Sequence, residues 1–387
     1  MNRRDFLKSS TLAAAAVLAS PKLLRAGDNP NQVTPNYGLA SITGIIDWHT
    51  HWISDTEIAM LKTRADAGVR PYAVTNDQGT FIYTTPNATG AGGTTTVLPR
   101  HTDLDARIAV LDQNHIQRQV VGWTIPMGFD DGNLDVDFRK AMFAGWNDEF
   151  FSKYTSKPKY RDRYSGLAAL TTADIQWSAL ELERTYDEYG FIGGSLPLNA
   201  AASIQGLEQL RPIFEMANSL RSVIFFHRGA ADTTILGQPT RYAPDSLWAR
   251  STLNTYYQLT AAPVTLGLSP FLDDYPNVSV VVIMLGGFIS FVMDSLQSSG
   301  LSRTPPVDAL QLFKRIYIEP GPYCTLPQEV AKTVEVFGAD NILFGTDYGP
   351  AADMAFQVTS FNSADLTLQE RRQIMVDNGV KLLQKAS

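Results

Sequence analysis

The sequence predicts an α/β fold: one closed parallel barrel of the TIM type, (β/α)8, with a long loop insertion after its first strand. Three observations predict it. Eight short apolar runs recur along the chain, helical patterns separate them, and histidines or an aspartate stand at the C-terminal ends of three of the runs. Strands alternating with helices read as parallel β-α-β units, and right-handed crossovers can close eight of them into a barrel. In such barrels the chemistry gathers where the strands end.

The first run, Ile45-Ile46-Asp47-Trp48-His49-Thr50-His51, carries the most information. Side chains on a strand alternate faces, so His49 and His51 point the same way. Two imidazoles on one face at a strand exit can grip a metal ion; the competing reading is a pair of structural histidines. Residues 55–67 read as a short helix. Residues 68–100 read as irregular, broken by Pro71, Gly79, Pro86 and the stretch 87–93. A loop this long is either a lid or pocket wall, or a surface excursion.

A helix is expected over 102–117, with Thr102 or Asp103 as its cap and Leu104, Ile108, Leu111 and His115 at helical spacing. That spacing makes His115 a packing residue. Strand patterns follow at 119–125, 164–170, 191–197, 222–227, 278–285, 315–319 and 341–348. Helical patterns lie at 137–153, 175–189, 207–219, 252–268, 288–297, 328–337 and 367–383. His227 ends the fifth strand and Asp347 the eighth, so both reach the same rim as His49 and His51. Three imidazoles and a carboxylate suit a divalent ion, zinc first, with a position left open for water or substrate.

Composition narrows the function classes. The 387 residues are 44% hydrophobic and 18% charged, an ordinary globular balance, and the length suits one barrel. A formal charge of -7 argues against a nucleic-acid partner, which needs a basic face. The lone Cys324 excludes an intrachain disulfide framework and a cysteine-rich zinc site.

The N-terminus reads as a processing segment, residues 1–26, with the barrel as a single domain over 27–387. Arg3-Arg4-Asp5-Phe6-Leu7-Lys8 precedes a mild apolar run at 11–19 that is too short to span a membrane. The paired arginines followed by Phe-Leu-Lys resemble a twin-arginine export signal; the competing reading is an uncleaved helix or anchor. The expectation is export of the folded chain by the twin-arginine machinery to the periplasm, with cleavage near Ala26.

Asp47-Trp48-His49-Thr50-His51, Phe226-His227 and Leu343-Phe344-Gly345-Thr346-Asp347-Tyr348 together resemble the amidohydrolase superfamily. More narrowly, they resemble its amidohydrolase-related branch of metal-dependent carboxy-lyases and hydrolases, which includes aminocarboxymuconate semialdehyde decarboxylase and γ-resorcylate decarboxylase. The segment 106–121 is similar to that branch's helix-strand pattern, and the likeness runs in register from Ile45 to the final helix. The resemblance implies His49, His51, His227 and Asp347 as metal ligands. It implies that Asp347 handles a proton, that Arg107 holds a substrate carboxylate, and that family members often form homodimers. For Arg107 the rival is a helix-surface ion pair.

One position departs from the branch. Its histidine-glycine-glycine after the sixth strand is here Leu285-Gly286-Gly287. Leucine cannot ligate a metal or accept a proton. His101, after the insertion, is a candidate stand-in for the missing base, and its rival role is helix capping. Glu319 ends the seventh strand and is a candidate substrate-binding residue, with a rim hydrogen bond as the rival. The resulting expectation is a carboxy-lyase acting on a small carboxylated or cyclic compound. Its rivals are a hydrolase of a lactone, ester or amide, and a non-catalytic metal- or ligand-binding barrel.

Overall fold

β1 (Ile45–His51) is buried along its whole length, as a strand covered on both faces must be. The chain is described here from a computed structural model covering residues 42–86, 92–123, 130, 134–240, 247–322 and 326–386. The expected export segment lies outside the described residues.

After β1 the insertion is folded, which corrects the irregular reading. β2 (Tyr72–Asn76), β3 (Gly79–Pro86) and β4 (Gly92–Val97) form a separate antiparallel sheet in that order. Tyr72 pairs with Tyr83, and Tyr83 with Thr94. Aromatic and β-branched residues recur through these runs and favour a pleated ribbon. The Gly and Pro residues around them hid the pattern. Gly79, at φ +128, closes the turn in a conformation that other residues rarely adopt.

The main sheet is parallel and holds β1, β5 (Ile116–Gly122), β6 (Tyr164–Ala169), β7 (Gly193–Pro197), β8 (Val223–His227), β9 (Ser279–Val282) and β10 (Ile316–Ile318), in that order. The eighth segment forms no extended ladder. Isolated parallel bridges join Ile318 to Ile342, Asp47 to Phe344 and Thr50 to Tyr348. Residues 342–348 therefore lie between β10 and β1 and close the barrel. The chain runs close to the site at Gly345: a Cβ there would meet Glu319 Oε2 at 2.1 Å and His49 Cβ at 2.9 Å.

β9 ends at Val282, earlier than the apolar run suggests. Met284, Leu285, Gly286 and Gly287 all adopt positive φ, between 51° and 67°, and turn the chain sharply. The expected helix over 102–117 is Leu104–Gln113, capped by Asp103, whose side chain accepts from Ala106 N at 2.9 Å. His115 lies beyond that helix, exposed and at φ 58, and does not pack. A left-handed residue points its side chain out of the helical stripe, so the spacing argument fails there.

Candidate metal centre

β1, β8 and the eighth segment bring His49, His51, His227 and Asp347 together as predicted. One ligand atom from each lies within 4.8 Å of all the others. The three rings meet edge to face, with centroids 4.7–5.0 Å apart. His49 Nε2 is 3.1 Å from His51 Nε2. Asp347 Oδ1 is 2.9 Å from His51 Nε2 and 3.4 Å from His49 Nε2.

The tautomers follow from the partners of the other ring nitrogens. His49 Nδ1 donates to Glu319 Oε1 at 2.8 Å, His51 Nδ1 to the Gly122 carbonyl at 3.3 Å, and His227 Nδ1 to the Arg228 carbonyl at 3.0 Å. With those tautomers each ring can turn an Nε2 lone pair toward a cation at the centre. Asp347 Oδ1 is buried against the Nε2 atoms of His51 and His49. Nitrogen ligands 2.0–2.1 Å from a tetrahedral zinc sit about 3.3 Å apart, close to the spacing seen here. The residues fit a divalent cation.

The charge pattern agrees. Burial opposes a proton on His49, but the carboxylates of Glu319 and Asp347 outweigh it and raise the pKa to about 9. Burial pushes His51 down despite Asp347, and burial with two neighbouring imidazoles pushes His227 well down. The carboxylates of Glu319 and Asp347 thus draw positive charge to His49, while His51 and His227 favour the neutral form that can ligate a cation.

Asp347 sits at φ +55, a costly backbone for a non-glycine residue, by about 1–3 kcal/mol. Its neighbours hold it there. Asp347 N donates to the His49 carbonyl at 2.6 Å, and His51 N to the Tyr348 carbonyl at 2.9 Å. With 8% of its surface exposed, against 1% for His49 and His51 and 5% for His227, Asp347 is the ligand most open to a substrate.

Three other sequence candidates have different surroundings. Glu319 is fully buried, with Oε1 on His49 and Oε2 accepting from Gly321 N at 2.7 Å. Instead of facing the opening, it orients a ligand. His101 accepts from Leu98 N at 3.0 Å through Nδ1 and also bonds the Gly349 backbone. Burial pushes its pKa down to about 4. With its lone pair spent on an amide, this ring is a pin between two segments. Arg107 is 2% exposed, and its fork meets protein oxygens, those of the His51 and Arg100 carbonyls among them. Leu285 is buried at the turn after β9, its N–H donating to the Glu319 carbonyl at 2.7 Å.

Sequence reading missed a second polar cluster on the same rim. Arg139 donates to Asp130 Oδ1 at 3.0 Å and to Asp232 Oδ2 at 2.6 Å, and all three are buried. Thr171 and Thr172 donate their hydroxyls to Asp130, and Asp232 N donates to Thr172 Oγ1 at 2.8 Å. The cluster staples the segments that follow β5, β6 and β8. Apart from the adjacent Thr171 and Thr172, its members are scattered through the chain, so no local motif announces them.

The amidohydrolase family model (Amidohydro_2) matches residues 46–385. The γ-resorcylate decarboxylase of Polaromonas sp. strain JS666 is 24% identical over 283 residues, spanning 67% of this chain and 82% of the relative. The enzyme of the same name from Rhizobium sp. strain MTP-10005 is 22% identical, over 72% and 86%. Among solved structures, 5-carboxyvanillate decarboxylase from Sphingomonas paucimobilis superposes with a TM-score of 0.64 at 17% identity, covering 89% of this chain and 99% of that one. A dihydroxybenzoic acid decarboxylase from Polaromonas sp. JS666, solved with bound manganese and 2-nitroresorcinol, gives 0.61 at 18% identity, covering 88% and 97%.

Proposed function

The chain belongs to the amidohydrolase family, and on that premise we propose that it is a metal-dependent carboxy-lyase that removes CO2 without oxidation from a small hydroxylated aromatic or conjugated acid. One observation carries the reading. Asp347 is the most exposed proton carrier of the buried ligand cluster among the described residues, while the turn after β9 carries Leu285 where the resemblance expects a histidine. Relatives named for decarboxylating hydroxybenzoates support the substrate class.

The chemistry balances with these residues. Asp347, a carboxylate in the resting site, takes up a proton from solvent as the substrate enters and passes it to the substrate carbon that bears the carboxylate, returning to the carboxylate form. The bond from that carbon to the carboxylate breaks, its electron pair returns to the conjugated system, and CO2 departs. A divalent cation would supply charge stabilisation for substrate oxygens. His49, His51 and His227 would hold it, and Glu319 fixes the His49 ring. No step needs an activated water, so a leucine at position 285 is compatible with the reaction.

Three imidazoles with one carboxylate favour zinc over harder, oxygen-preferring ions. Metal analysis of the purified protein is expected to find one zinc per chain; manganese in its place contradicts that choice. A panel of ortho-hydroxybenzoates, assayed by CO2 release, tests the reaction. Turnover lost in Asp347→Asn supports it. Hydrolysis of lactones or esters, with no CO2 from any acid, overturns it.

Arg3-Arg4 with Phe6-Leu7-Lys8 supports export by the twin-arginine route to the periplasm. Replacing both arginines with lysine is expected to strand a reporter fusion in the cytoplasm; unchanged export rejects the route.

A further inference from the structure

We propose that Arg107 is a positioning residue for the metal centre, acting through a closed ring of buried side chains, and that it does not bind the substrate carboxylate. The inference rests on the metal site of the preceding reading but not on its reaction.

The ring can be followed bond by bond. Arg107 Nη1 donates to Gln119 Oε1 at 3.3 Å. Gln119 Nε2 donates to Asp47 Oδ2 at 2.8 Å. Asp47 also accepts from Thr346 Oγ1 at 2.7 Å and from Thr346 N at 3.0 Å. Thr346 Oγ1 in turn accepts from Tyr348 N at 3.1 Å. The Tyr348 ring lies 5.0 Å from the Arg107 guanidinium carbon, which returns the path to its start. Every member is buried.

The ring also holds the backbone of three ligands. Arg107 Nη2 donates to the His51 carbonyl at 2.8 Å. Asp47 Oδ1 accepts from His49 N at 3.3 Å. Thr346 and Tyr348 flank Asp347 and fix its left-handed backbone. Arg107 further donates to the Arg100 carbonyl at 2.6 Å, so its fork ties the insertion's end to β1 and β5. A planar fork holds its donors in fixed directions toward these oxygens, a geometry that a flexible ammonium does not reproduce. Arg107 thereby joins β1, β5 and the eighth segment at the level of the ligands.

Outer groups that orient ligands typically change metal affinity about 10–100-fold when removed. Arg107→Lys is therefore expected to weaken zinc binding by about that factor, read by competition with a chromophoric chelator in the full-length protein. At saturating zinc, KM for a hydroxybenzoate stays at the wild-type value, because no substrate contact is lost. A carboxylate-binding Arg107 gives the opposite split: zinc affinity unchanged, KM raised. That result overturns the proposal. Gln119→Met cuts the ring while sparing the contacts of Arg107 to the carbonyls, and it is expected to move zinc affinity in the same direction by less. If Arg107→Lys does not fold, Gln119→Met decides, and wild-type zinc affinity in that variant overturns the proposal. Zinc titration needs no turnover, so a failed decarboxylase assay leaves the result readable.

Discussion

Arg107 and Arg139 are both 2% exposed and both stand at the barrel rim, yet they are partnered in opposite ways. Arg139 meets two carboxylates, Asp130 and Asp232. Arg107 meets two backbone carbonyls and an amide oxygen, and stacks on a phenol. The Arg139 cluster balances charge within the protein and ties three segments together. The Arg107 ring keeps its positive charge without a directly bonded carboxylate, beside a pocket that attracts cations. Geometry is what that ring provides. The difference separates two kinds of buried polarity, one that serves stability and one that serves the site.

The largest expected effect falls on the Arg139 side. Arg139→Met leaves two carboxylates buried without their cation, and breaking such a pair typically costs about 3–5 kcal/mol. Urea unfolding measures it, and a loss below about 1 kcal/mol would mean that the cluster is solvated in solution.

Metal binding gives the next contrast. Zinc at about one hundred times its Kd stabilises the folded state by about 2.7 kcal/mol. This increment should survive in Arg139→Met and shrink at the same zinc concentration in Arg107→Lys. Equal increments in the two variants would erase the distinction.

Leu285→His places an imidazole on the turn beside Glu319. It should open water chemistry at the mouth: ester hydrolysis appears, and CO2 release falls. Unchanged product ratios would show that position 285 does not reach the reacting atoms.

A third buried titratable group, Glu57, sharpens the comparison with the smallest effect. Neither carboxylate oxygen of Glu57 has a hydrogen-bond partner. Burial holds its pKa well above the ordinary 4.5. Such a group favours its neutral form in the fold. Its stabilising contribution is complete below about 4.5 and is lost as pH rises through the raised value. Glu57→Gln should match wild type near pH 4 and exceed it in stability near pH 8. A difference that is flat with pH would refute this.

The ligand set was legible because strand ends carry chemistry and because His-x-His places two rings on one face. The barrel was legible from eight apolar runs. The insertion's sheet was not, since its alternating residues are interleaved with glycines and prolines that read as breaks. Gln119 follows Gln117 and Arg118 in β5 and does not stand out in the sequence, and its bonds to Asp47 and Arg107 exist only after the barrel closes. Arg139 carries no local sign at all, because its partners lie 9 and 93 positions away. Arg107 and Glu319 were noticed for their chemistry, but a sequence does not tell a side chain that faces the opening from one that faces a neighbour.

A zinc-edge anomalous difference map of the loaded protein tests the central claim most directly. The account predicts one peak bonded to the Nε2 atoms of His49, His51 and His227 and to the Asp347 carboxylate. A peak that leaves out the imidazole of β8 or the carboxylate of the eighth segment, or no peak among these four side chains, would contradict it.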